Sequence, residues 1–461
     1  AAVAPTFSRK LNELRHALAI EEKYTKDEIL EKYLNISYFG AGAYGIEAAA
    51  KRFFGKSASE LKLHEAATLA GAVQNPTLTD PSRGKEYRDR LLARRNVVLD
   101  VMYRRGKITQ AEWAAARKKK LGYKGYDISG GCERSKYPYF CLYVQHEILN
   151  NKAFGKTVKE RRELLTRGGL TIRTTIDPRM QRAAEQAIRQ YVKASDKPVA
   201  AEALIEPGTG KIKAMAASRK FGNNKKKNES NYNLVADAAH GGGAGFQAGS
   251  TFKVFTLAAA LEKGMRFGDG FEVGGTYQAA SYGTFRNCKG ERVGDPNHVV
   301  HNASGEGGGG FKNLQTGTWG SVNTFFMKLQ ERVGLCNVVK MAKRLGIKRA
   351  DGKKLGEYET FTLGINEMDP VTVASAYATF GARGKYCKPM AITSVTFRNG
   401  KTIEFEPDCK QVLEAEVADA VNHILSGVFT KGTMSGVGGI GRDAAGKTGT
   451  TDEYRAAWFA G

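Results

Sequence analysis

Ser250 and Lys253 stand three residues apart in the stretch GFQAGSTFKVFTLAAALEKG, at the mouth of an otherwise apolar segment whose pattern assigns it to a helix. A serine hydroxyl is too weak an acid to attack an acyl carbon at neutral pH unless a base takes its proton in the transition state. A lysine one turn further on the same helical face can be that base. Among Val254, Phe255, Leu257 and Ala258 desolvation disfavours the ammonium form and pulls the amine below its ordinary value of about 10.4. A serine at a helix start also has its own N–H beside the space where an oxyanion would form, in the field of the helix dipole. Spacing alone does not carry this chemistry. Ser59 and Lys62 in SELK repeat it, but Ser59 lies inside a capping box from Ser57 to Glu60 and Lys62 is expected to face water.

Two further runs complete the set. SVNTFF holds Ser321, a hydroxyl able to shuttle a proton, and Asn323, an amide able to orient a peptide. AGKTGTT holds Lys447, Thr448, Gly449 and Thr450, where a glycine lets a strand backbone approach a substrate closely. S-x-N and K-T-G each occur once in the chain. In this order they describe a serine acyl-transfer site.

The elements that must position these residues change in texture along the chain. Residues 1–120 are helical throughout, with Leu11, Leu14, Leu18 and Ala19 at helical spacing. Capping boxes open helices at Thr25 and Glu28, at Ser57 and Glu60, and at Thr109 and Glu112. Residues 121–195 read as a small mixed linker module: alternation at Leu170, Ile172 and Ile176 gives a strand, then Asp177 caps a helix with Pro178 at its first position. Residues 196–461 form an α+β unit that starts as two strands about a tight turn at 207–210 and includes a helix over VTVASAYATF. The glycine run at 305–310 reads as a flexible loop.

Length and composition agree with several domains. A chain of 461 residues exceeds one ordinary core, and 41% hydrophobic with 26% charged residues argues against wholesale disorder. The formal net charge of +24, with local runs at 117–120 and 225–227, predicts attraction to polyanions: nucleic acid, anionic lipid headgroups, a pyrophosphate-bearing lipid or an acidic wall polymer. No zinc finger, RNP segment or recognition helix accompanies the charge, which argues against nucleic acid. No stretch reaches the length of a membrane span, AAVAPTFSRK lacks a signal-peptide core, and AAWFAG reads as a strand cut in mid-course, so truncation at both ends is expected.

Six cysteines without a CxxC pair argue against a zinc knuckle and fit disulfides in an oxidising compartment, with Cys132–Cys141 and Cys387–Cys409 the expected pairs. His298 and His301 in HVVH lack the glutamate of a metalloprotease helix and read as a loop pair, so no metal ligands are assigned.

With these residues in view, the chain resembles the class A, bifunctional penicillin-binding proteins over nearly its whole length. QAGSTFK, SVN and KTGTT match the transpeptidase signature, and GINEMDPVTVASAYATFGARG and DEYRAAWFAG resemble its flanking sequence. The N-terminal RKLNELRHALAIEEKYTKDEILEKYLNISYFGAGAYGIEAAAKRFFGK resembles the later motifs of the peptidoglycan glycosyltransferase domain. The resemblance implies a multidomain chain: an all-α lysozyme-like glycosyltransferase remnant, a small α/β linker module, and an α+β transpeptidase domain of antiparallel sheet with helices. It implies Ser250 as nucleophile, Lys253 as base, Ser321 and Lys447 as proton relay, and the N–H groups of Ser250 and Thr450 as oxyanion donors. Asn323 would meet the stem-peptide amide, Thr448 and Thr450 the substrate carboxylate.

In the glycosyltransferase part the resemblance makes Glu13 a catalytic group and turns Arg9 and Lys10 toward pyrophosphate; by residue type alone Glu13 is a solvated helix face. The family's E-D-x-x-F-x-x-H-x-G and G-G-S-T-I-T-Q-Q segments and its N-terminal anchor are missing, as are a strand and helix expected after Gly461, so these residues are expected not to polymerise glycan although the parent does. Implied partners are peptidoglycan stem peptides, lipid II, glycan strands, β-lactam antibiotics, an anionic membrane surface and other cell-wall synthesis proteins, at the extracytoplasmic face of the cell membrane. Transpeptidation implies no cofactor, and a divalent metal for glycosyl transfer is left open. The rival readings are a D,D-carboxypeptidase, a serine β-lactamase, a β-lactam sensor and, remotely, a basic nucleic-acid-binding protein. Val322 in place of the aspartate of S-D-N argues against the commonest lactamase class.

Overall fold

The structure is a computed structural model that describes residues 7–125, 131–224, 227–303 and 309–461. Most of the lysine run at 225–227, most of the glycine run at 305–310 and the side chain of Arg9 lie outside the described residues. The chain divides into two compact units, residues 1–130 and 131–461.

The first unit is helical: α1 (Phe7–Lys23), α2 (Lys26–Ile36), α3 (Ile46–Phe54), α4 (Leu63–Val73), α5 (Lys85–Arg104) and α6 (Gln110–Arg117). The boxes at Thr25 and at Thr109 form as expected, each threonine accepting from the N–H of its glutamate. The box at Ser57 closes a single 3-10 turn, Ala58–Glu60, rather than opening a helix. The reason is a second glutamate: Glu65 accepts from Lys62 N–H at 2.8 Å and so starts α4 afresh at Leu63. Phe39, Phe53, Leu69 and Leu91 form the core. The stripe on α1 is not part of it, for Leu11, Leu14 and Leu18 are 48%, 57% and 55% exposed. No helix among the described residues is long and apolar enough to cross a membrane.

The second unit carries helices α7 (Pro138–Asn150), α8 (Val158–Arg167), α9 (Pro178–Tyr191), α10 (Lys253–Glu262), α11 (Leu314–Trp319), α12 (Asn323–Val333), α13 (Leu335–Arg344), α14 (Pro370–Gly381) and α15 (Ala415–Lys431). Its strands are β1 (Thr171–Thr174), β2 (Ala201–Ile205), β3 (Ile212–Ala217), β4 (Phe246–Gln247), β5 (Gly270–Val273), β6 (Thr276–Gln278), β7 (Val299–His301) and β8 (Gly310–Asn313). They continue with β9 (Glu367–Met368), β10 (Lys385–Cys387), β11 (Ile392–Thr396), β12 (Thr402–Glu404), β13 (Cys409–Gln411), β14 (Lys447–Thr450) and β15 (Ala457–Ala460). Every ladder is antiparallel and short, and β1 finds its partner far along the chain, with Thr171 opposite Thr396 of β11. Residues 131–195, read from sequence as part of a separate module, therefore belong to the same compact unit as the strands and helices that follow.

Local chemistry explains the elements around the site. Asp177 accepts from the N–H groups of Arg179 and Met180 and starts α9, with Pro178 in the first turn where a missing N–H costs nothing. The β2–β3 hairpin packs against α9 and α14. Helix α10 is buried on every side from Lys253 to Ala260, as a helix without a polar face must be. Phe252, Phe255, Phe325, Phe326 and Phe361 pack in the cluster that surrounds it.

Three disulfides form: Cys132–Cys141 and Cys387–Cys409 as expected, and also Cys288–Cys336, which ties the segment between β6 and β7 to α13. The last closes the longest of the three loops, with a sequence separation of 48. Replacing Cys288 and Cys336 together by serine is expected to destabilise the second unit by up to about 4 kcal/mol, the chain-entropy ceiling for such a loop. Urea unfolding followed by tryptophan fluorescence checks this, and an unchanged midpoint would contradict it.

Candidate active site

Ser250 is carried by a 3-10 turn, Gly249–Phe252, and Lys253 is the first residue of α10. In a 3-10 turn residues three apart eclipse one another, so serine and lysine share one edge more closely than on an α-helix. Ser250 is half-buried, whereas Lys253 is wholly buried. Three contacts fix the turn, two from other parts of the unit and one within the turn itself. Tyr377 of α14 donates its hydroxyl to Thr251 O at 2.8 Å, Thr251 Oγ1 donates to Ala248 O at 2.8 Å, and Gly249 N–H donates to Gly364 O at 3.2 Å.

Strand β14 lies against this turn, and two glycines make the approach feasible. Gly249 has φ +57, and a Cβ there would stand 2.8 Å from Thr450 O. A Cβ on Gly449 would stand 2.6 Å from Ala248 O. Gly449 thus serves contact between the strand and the turn that carries Ser250, a role additional to the approach to substrate expected from sequence. Thr451 N–H donates to Ala456 O at 3.0 Å, so Thr451 and Gly449 pair with β15 and the alternation of the ladder turns the N–H of Thr450 to the opposite edge, where Gly249 lies.

Ser321 joins α11 to α12 with φ 52, a left-handed conformation that a residue with a Cβ adopts at a cost of the order of 1 kcal/mol. What the conformation achieves is a convergence. Lys447 Nζ donates to Ser321 Oγ at 2.7 Å, and Lys253 Nζ donates to Ser321 O at 2.5 Å and to Ser321 Oγ at 3.2 Å. Lys447 also donates to Thr448 O at 3.0 Å, and both lysines are fully buried. With both lone pairs of Ser321 Oγ facing lysine donors, its single hydrogen is left to be donated elsewhere.

Asn323 bridges two parts of the wall: its Oδ1 accepts from Lys253 Nζ at 2.6 Å and its Nδ2 donates to His301 O at 2.8 Å. His301 therefore sits in β7, not in a loop, because Val299–His301 pairs with Thr276–Gln278. His298 is turned away from it, with Nδ1 2.6 Å from Glu359 Oε1. Among the described residues no three His, Cys, Asp or Glu side chains group to hold a metal ion.

The structure thus gathers Ser250, Lys253, Ser321, Asn323, Lys447, Thr448, Gly449 and Thr450 into one site. Glu13 and Lys10 are on α1 in the other unit, where they form an exposed ion pair at 2.9 Å. Sequence reasoning missed Asn302, whose side chain accepts from Thr324 N–H at 3.0 Å and caps α12 from outside the helix. It also missed Thr433, whose hydroxyl lies 2.6 Å from that of Thr448, and Tyr377. Tyr377 stands in a stretch noticed only as family-like, and nothing near Asn302 or Thr433 in the chain announces a partner.

A nucleophile-bearing turn, two buried lysines and a bridging serine on an α+β scaffold define a serine acyl-transfer class of site. Comparison with known proteins places the chain within that class. Residues 201–461 match the penicillin binding protein transpeptidase domain family and residues 2–103 match the transglycosylase family. The chain belongs to the penicillin-binding proteins, with the transglycosylase and transpeptidase order of class A. It is 30% identical to penicillin-binding protein 2D of Bacillus subtilis over 97% of its own length, and spans 60% of that relative. It is 27% identical to the PonA1 protein of Mycobacterium tuberculosis solved in complex with penicillin V, with a TM-score of 0.53 over 70% of this chain and 81% of that one. Penicillin-binding protein 1A from Haemophilus influenzae, 21% identical, shares the fold with a TM-score of 0.63 over 95% of this chain and 79% of that one.

The close approach of β14 is directly testable. Gly449→Ala drives a Cβ into the Ala248 carbonyl, and a displacement of that kind is expected to slow acylation by a fluorescent penicillin about 100-fold. Tyr377→Phe, which strands the Thr251 carbonyl, is expected to cost about 1–3 kcal/mol in unfolding free energy. Stopped-time gel labelling reads the first and thermal unfolding the second.

Proposed function

We propose that the chain is part of a bacterial peptidoglycan synthase whose second unit is a serine D,D-transpeptidase. The observation that carries this reading is the convergence of Lys253 and Lys447 on Ser321 beside the half-buried Ser250. Lys253 takes the proton of Ser250, whose Oγ attacks the carbonyl carbon of the penultimate D-alanine of a stem peptide. In the neutral amine two hydrogens serve the short bonds to Ser321 O and Asn323 Oδ1, and the longer 3.2 Å donation to Ser321 Oγ belongs to the ammonium formed once Lys253 has taken the serine proton. The N–H groups of Ser250 and Thr450 hold the oxyanion. The amide C–N bond breaks as the departing D-alanine nitrogen takes a proton from Ser321, which Lys447 replenishes. An amine from a second stem peptide then attacks the ester and passes a proton through Ser321 to Lys447, while Lys253 returns its proton to Ser250 Oγ as the ester C–O bond breaks and the crosslink forms.

Thr448 and Thr450 meet the substrate carboxylate in the positive field of Lys447, and Thr433 fixes the hydroxyl of Thr448 for that task. β-Lactams imitate the D-alanyl-D-alanine end and acylate Ser250. The first unit belongs to a glycosyltransferase that polymerises lipid II into glycan strands in the whole protein, with Glu13 assisting and Arg9 and Lys10 serving the pyrophosphate. The site of action is the extracytoplasmic face of the cell membrane, where the net charge of +24 favours anionic headgroups, and other cell-wall synthesis proteins are the natural partners.

Intact mass after benzylpenicillin should show one covalent adduct on Ser250. Ser250→Ala should abolish it and Ser59→Ala should leave it unchanged. Labelling that survives Ser250→Ala refutes the assignment, rapid release of hydrolysed penicillin favours a β-lactamase, and water rather than amine as acceptor in product analysis favours a carboxypeptidase.

A further inference from the structure

A cavity of about 320 Å³ lies in the second unit, lined by residues of α7, α14 and the segments around Asp237, Lys348 and Tyr386. None of the acyl-transfer residues lines it. Its walls are rich in charge, and the hydrogen bonds show which charges are spent. Lys348 Nζ donates to Asp237 Oδ2 at 2.7 Å, and His240 Nδ1 is 2.6 Å from Asp237 Oδ1. Lys388 Nζ donates to Asp408 Oδ2 at 2.5 Å. The basic groups of the wall are therefore already matched by aspartates.

Two carboxyl groups are not. Asp369 is 2% exposed; Oδ1 caps α14 through Thr372 N–H at 2.9 Å, while Oδ2 is buried with no hydrogen-bond partner. Glu147 accepts from Ala391 N–H through Oε2 at 3.1 Å and has no basic side chain bonded to it among the described residues. A buried acceptor left without a donor costs about 1–3 kcal/mol, so a ligand group that donates to Asp369 Oδ2 is favoured there. The rings of Tyr143 and Tyr386 also line it, and Tyr143 stacks on His240 at 4.2 Å between centroids. Carboxyl groups that share a cavity with ring carbons suit an alkylammonium, whose charge meets the acids and whose methylenes pack on carbon.

We propose that this cavity is a binding site for a small primary ammonium ligand, held by Asp369 and Glu147. Burial pushes Glu147 up to about 7 against the lowering effect of the Ala391 N–H, and Asp369 up to about 6, where the Thr372 hydrogen bonds and Lys348 oppose the rise and the Asp237 carboxylate adds to it. His240 also lowers Glu147, and Tyr143, Tyr386 and Lys388 complete the groups that line the cavity with the pair. Because a cation favours the ionised carboxylates, ligand affinity rises as pH rises through those values and falls below them.

Isothermal titration of the 461-residue chain with cadaverine, with Nα-acetyl-lysine methylamide and with glutarate tests the site. Cadaverine is expected to bind at one site, more tightly at pH 8 than at pH 5, and about tenfold more weakly to Asp369→Asn and to Glu147→Gln. Binding of the lysine derivative as well would assign the pocket to an amino-acid side chain, and cadaverine alone to a free amine; either supports the proposal. No cadaverine binding, binding unchanged in both variants, or glutarate binding that is lost in Lys348→Met would overturn it. Glu147→Gln reads the site even if the Asp369 variant fails to fold, and retained penicillin labelling at Ser250 separates this outcome from failure of the transpeptidase reading.

Discussion

Two lysine side chains, both removed from water, end on the hydroxyl of one serine, and much of the second unit is arranged around that fact. Burying an amino group is costly unless its hydrogens find acceptors. Ser321 supplies two, its carbonyl and its hydroxyl, and presents both from a left-handed backbone conformation. That conformation interrupts the passage from α11 to α12 and leaves the first N–H groups of α12 to be satisfied from elsewhere. Asn302 does this from the end of β7, and Asn323 is tied to the same strand through His301 O. The site therefore depends on where β7 sits, and hence on the Cys288–Cys336 bridge and the His298–Glu359 contact that hold its approach.

The nucleophile is held by a different means. Its turn is clamped between the buried hydroxyl of Tyr377 on one side and the backbone of β14 on the other. No side chain could mediate the second contact, since at Gly249 and Gly449 even a methyl group would meet main-chain atoms below 3 Å. Packing of backbone on backbone gives the Thr450 N–H a defined place beside Ser250 without spending a flexible side chain on it. Preorganised dipoles of this kind need no rearrangement as charge develops.

What the sequence made legible follows the range of the interactions concerned. Asp177, Thr25 and Thr109 act on the next turn of their own chain, and their caps formed as read. The three short motifs were legible because each is a run with its chemistry in its side chains. Asn302 and Thr433 were not, because their partners lie 22 and 15 residues away in sequence and nothing local distinguishes them from loop residues. Strand β1 was found by its alternation, but its partner β11 was beyond reach, which is why 121–195 read as a module apart. At Gly449 close approach was legible, but its contact with the Ala248 carbonyl was not, since the identity of what a glycine faces is a tertiary fact.

The pair Ser59 and Lys62 shows why spacing is not the source of reactivity. Both residues are exposed, Ser59 on a one-turn 3-10 segment and Lys62 ahead of α4. In water an ammonium is well solvated, and a serine beside it gains nothing as a nucleophile. At Ser250 the same interval is placed at the end of a helix with no polar face, so the lysine cannot reach solvent and must settle among the acceptors that Ser321 and Asn323 present. What converts an ordinary interval into a chemical group is thus the apolar run of α10, which sequence displays, together with the bend at Ser321, which it does not.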